Sequence, residues 1–298
     1  MTQLWEAVLN GACVGAAYAL VGLGVVVIYK ATGVLNFAQG GMMLFGAYMT
    51  YTAHVTWGIS WYPSMVIGAV TGALFGIALE QSALRFLVGQ PVFAQIMVTI
   101  GLLFIITELL NLIWGGDTLN MDDPWGLTTV TIFGAIVSWA YIWRLILAAI
   151  VFSAFFIFFR FSRNGTAMRA SAADQEAAMA QGIRLNRIYV AAWGISGACA
   201  ALAGICFTTG ASQLQPNVQY VALAAFPAII LGGLDSPGGA VVGGLTVGIL
   251  QNLAAAYVPE YLSWLGNGFD QVVPYIVLLV ILLVRPYGLF GTAQVRRA

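Results

Sequence analysis

The chain has 298 residues, of which 61% are apolar and only 7% charged, and its eleven basic residues balance eleven acidic ones. A soluble domain carries roughly a quarter charged residues, so water cannot be the solvent over most of this surface and lipid takes its place. The zero net charge leaves no electrostatic footprint for nucleic acid. Cys13, Cys199 and Cys206 sit inside apolar runs as packing residues, with neither disulfide nor metal-ligand spacing.

About 20 apolar residues cross the roughly 30 Å of hydrocarbon in a bilayer. The first qualifying run, 7–29, follows a stretch without Lys or Arg and without a small-x-small cleavage site, so it reads as a retained membrane helix. Further runs follow at 37–57, 63–84, 93–114, 136–159 and 188–209. The apolar stretch 220–257 is interrupted by Gly232, Gly233, Pro237, Gly238 and Gly239, and divides into 220–231 and 239–257. A last run covers 270–284. The expected fold is therefore all-α, one polytopic transmembrane bundle over residues 1–298 with about eight to ten membrane segments. Continuous rather than alternating runs exclude a barrel.

Basic residues set the orientation. Arg160, Arg163, Arg169, Arg184 and Arg187 share one connection, Arg285, Arg296 and Arg297 lie at the C-terminus, and Lys30 and Arg85 mark two more connections. Alternation places all of them on one side, the cytoplasm, with the N-terminus outside. The connection 115–135 falls outside and holds Asp117, Asp122 and Asp123. Arg144, near the outer end of its helix, is expected to snorkel to the interface, Glu80 to be a surface charge, and the lone His54 to be interfacial. Glycines recur at helical spacing, as in Gly11 and Gly15, Gly68, Gly72 and Gly76, and Gly244 and Gly248, a pattern that admits close helix approach in lipid.

The connection 160–187 has the charge density of soluble protein. It reads as two short helices. Asp174 is placed to cap the second by accepting from the amides that follow it, and Gly182 supplies a left-handed stop. So short a helix cannot fold alone; it packs on the helix ends above it or on another protein, or it only joins two spans.

These residues resemble a known loop. Gly165, Arg169, Ala170, Asp174, Glu176, Ala177, Ala178, Gly182 and Ile183 form G-x3-RA-x3-D-x-EAA-x3-GI. That pattern is similar to the ATPase-coupling loop of LivH-type permeases from branched-chain amino acid ABC importers. VLNFAQGGMMLFGAY (34–48), AIILGGLDSPGGAVVGG (228–244) and VRPYGLFG (284–291) agree with the same family in order and spacing. The resemblance implies a heterodimer with a second, related permease, two cytoplasmic ATPases, an extracytoplasmic solute-binding protein, and a bacterial inner-membrane location. It implies no cofactor in this chain, ATP and Mg being held by the ATPases. Lys30, the only lysine, is not in a phosphate-binding G-x4-GK-[ST] motif. Where the family is expected to carry uncharged amides this chain has Thr107 and Glu108, and where it is expected to carry glycine this chain has Asp235; these departures bear on substrate more than on fold.

The substrate-pathway candidates are Asn36, Phe37, Gln39, Gly40 and Glu108. The first four open the second segment, either as a partly broken helix lining the solute route or as a helix start capped by Asn36; the resemblance favours the former. The break at 232–239 reads as a tight cytoplasmic turn or as backbone lining a cavity. A carboxylate at Glu108, well inside its span, costs on the order of 3 kcal/mol to bury, so it is expected to face the bundle, be paired or be protonated. It could meet the amino group of an amino acid or bond a neighbouring helix. The competing function is a carrier or channel that works alone through Glu108. No catalytic constellation is visible, and a transport subunit rather than an enzyme is expected.

Overall fold

The computed structural model describes residues 2–291, apart from 88, 133, 211, 263, 265 and 267. Eleven helices appear among them: α1 (Thr2–Thr32), α2 (Gln39–Tyr51), α3 (Trp61–Ser82), α4 (Val92–Trp114), α5 (Trp139–Phe161), α6 (Arg163–Ala173), α7 (Gln175–Ala180), α8 (Leu185–Thr208), α9 (Gln219–Gly232), α10 (Pro237–Tyr261) and α11 (Val273–Val284). Nine of these coincide with the nine apolar runs. Six (α1, α3, α4, α5, α8 and α10) are long and apolar enough to cross a membrane. The second run is shorter than expected as α-helix, because Thr52–Thr56 continue α2 as a single π-helical stretch. A two-stranded hairpin, β1 (Thr129–Ile132) with β2 (Ala135–Ser138), interrupts the all-α pattern outside the spans.

The glycine spacing becomes packing. Lipid offers little drive for helix association, so close van der Waals fit has to supply it. A Cβ on Gly15 would lie 2.6 Å from the Gly244 carbonyl oxygen, and one on Gly248 2.4 Å from the Gly15 Cα, so α1 and α10 meet backbone to backbone. Gly72 of α3 is pressed in the same way against Gly197 and Ala201 of α8. Gly33, at φ +73, donates its amide to the Tyr29 carbonyl at 2.8 Å and ends α1, a left-handed stop that a side chain would strain.

Two ends are distinct. At one, the Lys30 ammonium donates to the Asp235 carbonyl at 3.0 Å and lies over the Phe159 ring, 5.8 Å from its centroid. The end of α1, the α5–α6 junction and the α9–α10 turn thus share one face. Leu289 and Phe290 donate their amides to the carbonyls of Leu231 and Gly232, which seats the 284–291 motif against the end of α9. The residues from 232 to 239 form the tight turn that was one of the two readings, with the Ser236 hydroxyl accepting from the Gly239 amide at 3.0 Å and Pro237 opening α10. Arg296 and Arg297 lie outside the described residues.

At the opposite end the hairpin and loops form a cap rich in aromatic residues. Trp125 stacks on Trp143 with centroids 5.0 Å apart, and His54 bridges the carbonyls of Ile59 and Asp122 at 2.7 and 3.1 Å. Arg144 does not snorkel. It is 2% exposed and donates to the Thr209 carbonyl at 2.8 Å, because the last carbonyls of α8 have no helical partner and a guanidinium turned inward can supply one. Glu80 is not a surface charge either: it is 1% exposed, and neither carboxylate oxygen has a hydrogen-bond partner among the described residues.

Candidate functional site

The four residues that open the second segment lie within the bundle, not at its surface. Asn36 and Gln39 are fully buried, Gly40 is buried and Phe37 half-buried. Asn36 Oδ1 accepts from the Ala38 amide at 3.0 Å while its Nδ2 donates to Gln39 Oε1 at 3.2 Å. Gln39 Oε1 also accepts from the Ser196 hydroxyl at 3.0 Å, which ties α2 to α8. Phe37 stacks on Phe226 of α9, with rings 4.7 Å apart and 7° from parallel. Asn36 does not cap α2, whose first turn follows Ala38 without a side-chain cap; it holds the turn before the helix, and that turn is buried in the protein.

Depth follows from α1. A Cβ on Gly24 would lie 2.2 Å from Gln39 Nε2, so α2 begins beside Gly24. Residues 24 to 32 span about 12 Å along the helix axis at 1.5 Å per residue; residues 33–38 thus carry the chain back into the membrane before α2 starts. Irregular backbone at that depth survives only inside protein or against water. The α9 helix starts beside it: a Cβ on Gly40 would lie 2.3 Å from the Gln219 carbonyl oxygen. Gln219 Oε1 accepts from the Thr107 hydroxyl of α4, and Thr99 donates to the Leu35 carbonyl at 3.4 Å. The two helix starts meet through Gly40 and the Gln219 backbone, and the buried polar side chains around them form two hydrogen-bonded clusters, Asn36–Gln39–Ser196 and Thr107–Gln219. Sequence reasoning found Asn36, Gln39 and Gly40 but missed Ser196 and Gln219 as members; Thr107 was noted only as a departure. A lone glutamine before an apolar run was the available signal for Gln219.

Glu108 belongs to neither cluster. It is exposed on the outer face of α4, with no hydrogen bond or ion pair among the described residues. Of the three expectations for it, facing the bundle is not met within this chain, because the buried stripe of α4 is Gln95, Thr99, Leu103, Ile106, Thr107 and Leu110, and residue 108 projects away from it.

The loop expected to couple is two short helices, as its sequence implies. The Ser162 hydroxyl accepts from the Gly165 amide at 2.8 Å and caps α6; Asp174 Oδ1 accepts from the Ala177 amide at 3.0 Å and caps α7. Gly165 admits the turn out of α5, since a Cβ there would lie 2.5 Å from the carbonyl oxygens of Phe158 and Phe159. Gly182, at φ +81, ends α7. Arg169 lies over the Phe159 ring at 5.5 Å and donates to the Thr166 hydroxyl at 3.1 Å, so it organises the loop. Met168, Ser171 and Ala178 are buried and Ala170 is half-buried, which seats the loop on the span ends. Asp174, Glu176, Ala177, Met179 and Ala180 are exposed. Beside them an open cavity of about 720 Å³ is lined by Lys30, Arg169, Ser171, Asp174 and Asp235 among others.

Spans packed through glycine, two helices broken inside the membrane and a capped helical loop at one end define a polytopic membrane permease. The chain belongs to the family described as branched-chain amino acid transport system / permease component, which matches residues 7–282. It is similar to the high-affinity branched-chain amino acid transport system permease protein LivH of Escherichia coli (strain K12), 29% identical over 98% of this chain and 97% of that one. It is also similar to the corresponding protein BraD of Pseudomonas aeruginosa, 27% identical over the same shares. Among solved structures, PsaBC from Streptococcus pneumoniae in complex with Fab matches over 96% of this chain and 93% of that chain, with TM-score 0.50 and 13% identity, a likeness of fold.

Proposed function

We propose that this chain is the membrane-spanning subunit of an ATP-driven importer that passes branched-chain or other apolar amino acids, driven from outside its own sequence by cytoplasmic ATPases. The observation that carries the reading is α7. It has six residues, is capped by Asp174 and stopped by Gly182, and presents Glu176, Ala177, Met179 and Ala180 outward. A helix that short gains nothing from exposing alanine and methionine to water. It makes sense as a surface that a second protein grips, and Met168, Ser171 and Ala178 then pass the push to the span ends. The same end holds Lys30, Arg85, Arg160, Arg163, Arg184, Arg187 and Arg285, whereas Glu6, Asp117, Asp122, Asp123, Glu260 and Asp270 lie toward the other. The positive-inside bias assigns the loop end to the cytoplasm and the N-terminus to the outside of a bacterial inner membrane.

The solute route runs past the two polar clusters, Asn36–Gln39–Ser196 and Thr107–Gln219, with Phe37 and Gly40 shaping it. Two helix starts at that depth leave amides suited to the carboxylate of an amino acid, and the apolar wall suits its side chain. A second permease subunit and an extracytoplasmic binding protein complete the importer. The carrier that works alone through Glu108 has less support, because Glu108 points out of the chain and cannot line a route within it. The test is reconstitution into proteoliposomes with the second subunit and the ATPases, followed by uptake of labelled leucine driven by the binding protein. Uptake that requires ATP and disappears in Gly182→Val is the expected result. Uphill uptake by this chain alone overturns the reading.

A further inference from the structure

The outer face of α4 carries a pattern that lipid does not explain. Every glycine of α1, α3 and α8 is pressed against a neighbouring helix, yet a Cβ on Gly101 would have nothing within 4 Å. Glycine inside a helix costs about 1 kcal/mol relative to alanine, and in a membrane its usual return is close approach by another backbone; here no helix of this chain approaches. Glu108 lies two turns further on the same face. From Leu103, the midpoint of α4, to Glu108 is about 7.5 Å along the axis at 1.5 Å per residue, well inside the roughly 15 Å half-thickness of the hydrocarbon. Helical side chains also lean toward the helix N-terminus, which for Glu108 is toward the mid-plane and away from the nearer surface.

Met97, Gly101, Phe104, Glu108 and Asn111 follow each other at spacings of four and three, the period of a helix–helix seam. Met97 and Phe104 are 46% and 53% exposed, and Glu108 is exposed. Asn111, at the end of the series, is half-buried and its Oδ1 is buried within this chain, so the outward part of the seam ends at Glu108. A carboxylate without a hydrogen bond or ion pair among the described residues and a glycine with open space beside it, on the one outward face of a helix whose other polar residues Gln95, Thr99 and Thr107 turn inward, mark a protein contact.

We propose that this seam of α4 receives a helix from a second, non-identical membrane-spanning subunit, which packs its backbone against Gly101 and presents a cation or hydrogen-bond donor to Glu108. The partner is non-identical because two copies crossing here would bring two carboxylates together in a medium of low dielectric. The proposal rests on the importer reading and assigns the seam of its second permease.

The test uses the assembled importer in lipid nanodiscs, with a nitroxide on Phe104→Cys and another on Leu74→Cys, on the exposed face of α3. The native cysteines are buried and leave little background. Oxygen collision at Phe104 is expected to fall severalfold on going from the chain alone to the complex, with Leu74 unchanged. Gly101→Ile is expected to cut co-purification of the membrane partner severalfold without changing the melting temperature of the chain alone, and Glu108→Leu to weaken it more than Glu108→Gln does. If the wild-type complex assembles and transports while the Phe104 label stays as accessible to oxygen as in the chain alone, the seam is wrong and the importer reading stands. If no membrane subunit co-purifies with the wild-type chain, both are wrong.

Discussion

Two helices of similar hydropathy, both long enough to cross a membrane, meet opposite fates here. In α1, 89% of the most apolar eighteen-residue window is buried inside the protein; in α4 the share is 28%. Hydropathy cannot separate them, because lipid and a membrane-protein interior are equally apolar. What separates them is small residues. Gly11, Gly15, Gly22 and Gly24 each sit against another element, so α1 is the central post, while the lone Gly101 of α4 faces out. Inside a membrane, the glycine pattern reports which face meets protein and the hydropathy reports only the span.

The largest effects are expected where α1 is packed. Gly15→Leu would drive a side chain into the Gly244 backbone, and neither backbone can yield without moving a whole helix. Overpacking typically costs about 1–3 kcal/mol and more when backbone must shift, so the variant is expected to lose most of its folded yield and to melt well below wild type in detergent. Gly101→Ile in the isolated chain is expected to melt with wild type. Equal melting of both variants would break the contrast between the two helices.

A smaller loss is expected at the capped end. Arg144→Met removes the donor to the Thr209 carbonyl while keeping much of the aliphatic stem. An unsatisfied buried partner of a charged group costs roughly 1.5–3 kcal/mol, and a fall in melting temperature together with faster proteolysis of the segment around Thr209 is the expected readout. An unchanged melt would show that water replaces the guanidinium, the snorkelling picture that the sequence suggested. Below that ranks Thr107→Val, nearly isosteric, which strips Gln219 Oε1 of its hydroxyl partner. A cost of about 1–2 kcal/mol is expected, with altered uptake kinetics if the Thr107–Gln219 pair lines the route; stability lost with kinetics unchanged would make the pair a structural pin only.

Much of the fold was legible because a span is a local property. Nine apolar runs became nine helices, and Asp174 and Gly182 bound α7 because capping and left-handed stops are decided within a few residues. What was not legible is non-local. Whether Arg144 turns out to water or in to Thr209 depends on where α8 ends, sixty-odd residues further along the chain. Ser196 and Gln219 look like ordinary polar residues until the chain from Gly33 to Ala38 folds back and sets Gln39 beside the first and Gly40 beside the second. The outward aim of Glu108 is a question of helix phase: Gln95, Thr99 and Thr107 share the buried stripe of α4, and in lipid a polar residue on either face can be satisfied by a neighbouring helix, so the sequence does not say which polar face turns inward.

The smallest stability effect tests the other side of the comparison, the part of the molecule that lies outside the bilayer. Asp174→Ala removes the cap on the Ala177 amide, a loss of about 1 kcal/mol confined to a six-residue helix. The spans do not depend on α7 for their packing, so the melting temperature is expected to stay within about a degree of wild type. Uptake is expected to fall much further, since an uncapped helix this short frays and presents no fixed surface to a motor. Asp174→Ser, which retains a capping oxygen, is expected to recover most of the activity, and Asp174→Asn nearly all of it. Recovery in that order would assign the aspartate its role as a cap. If Asp174→Asn is as inactive as Asp174→Ala, the charge itself is read by the motor, and α7 is a contact surface through its acidic residues rather than through its shape.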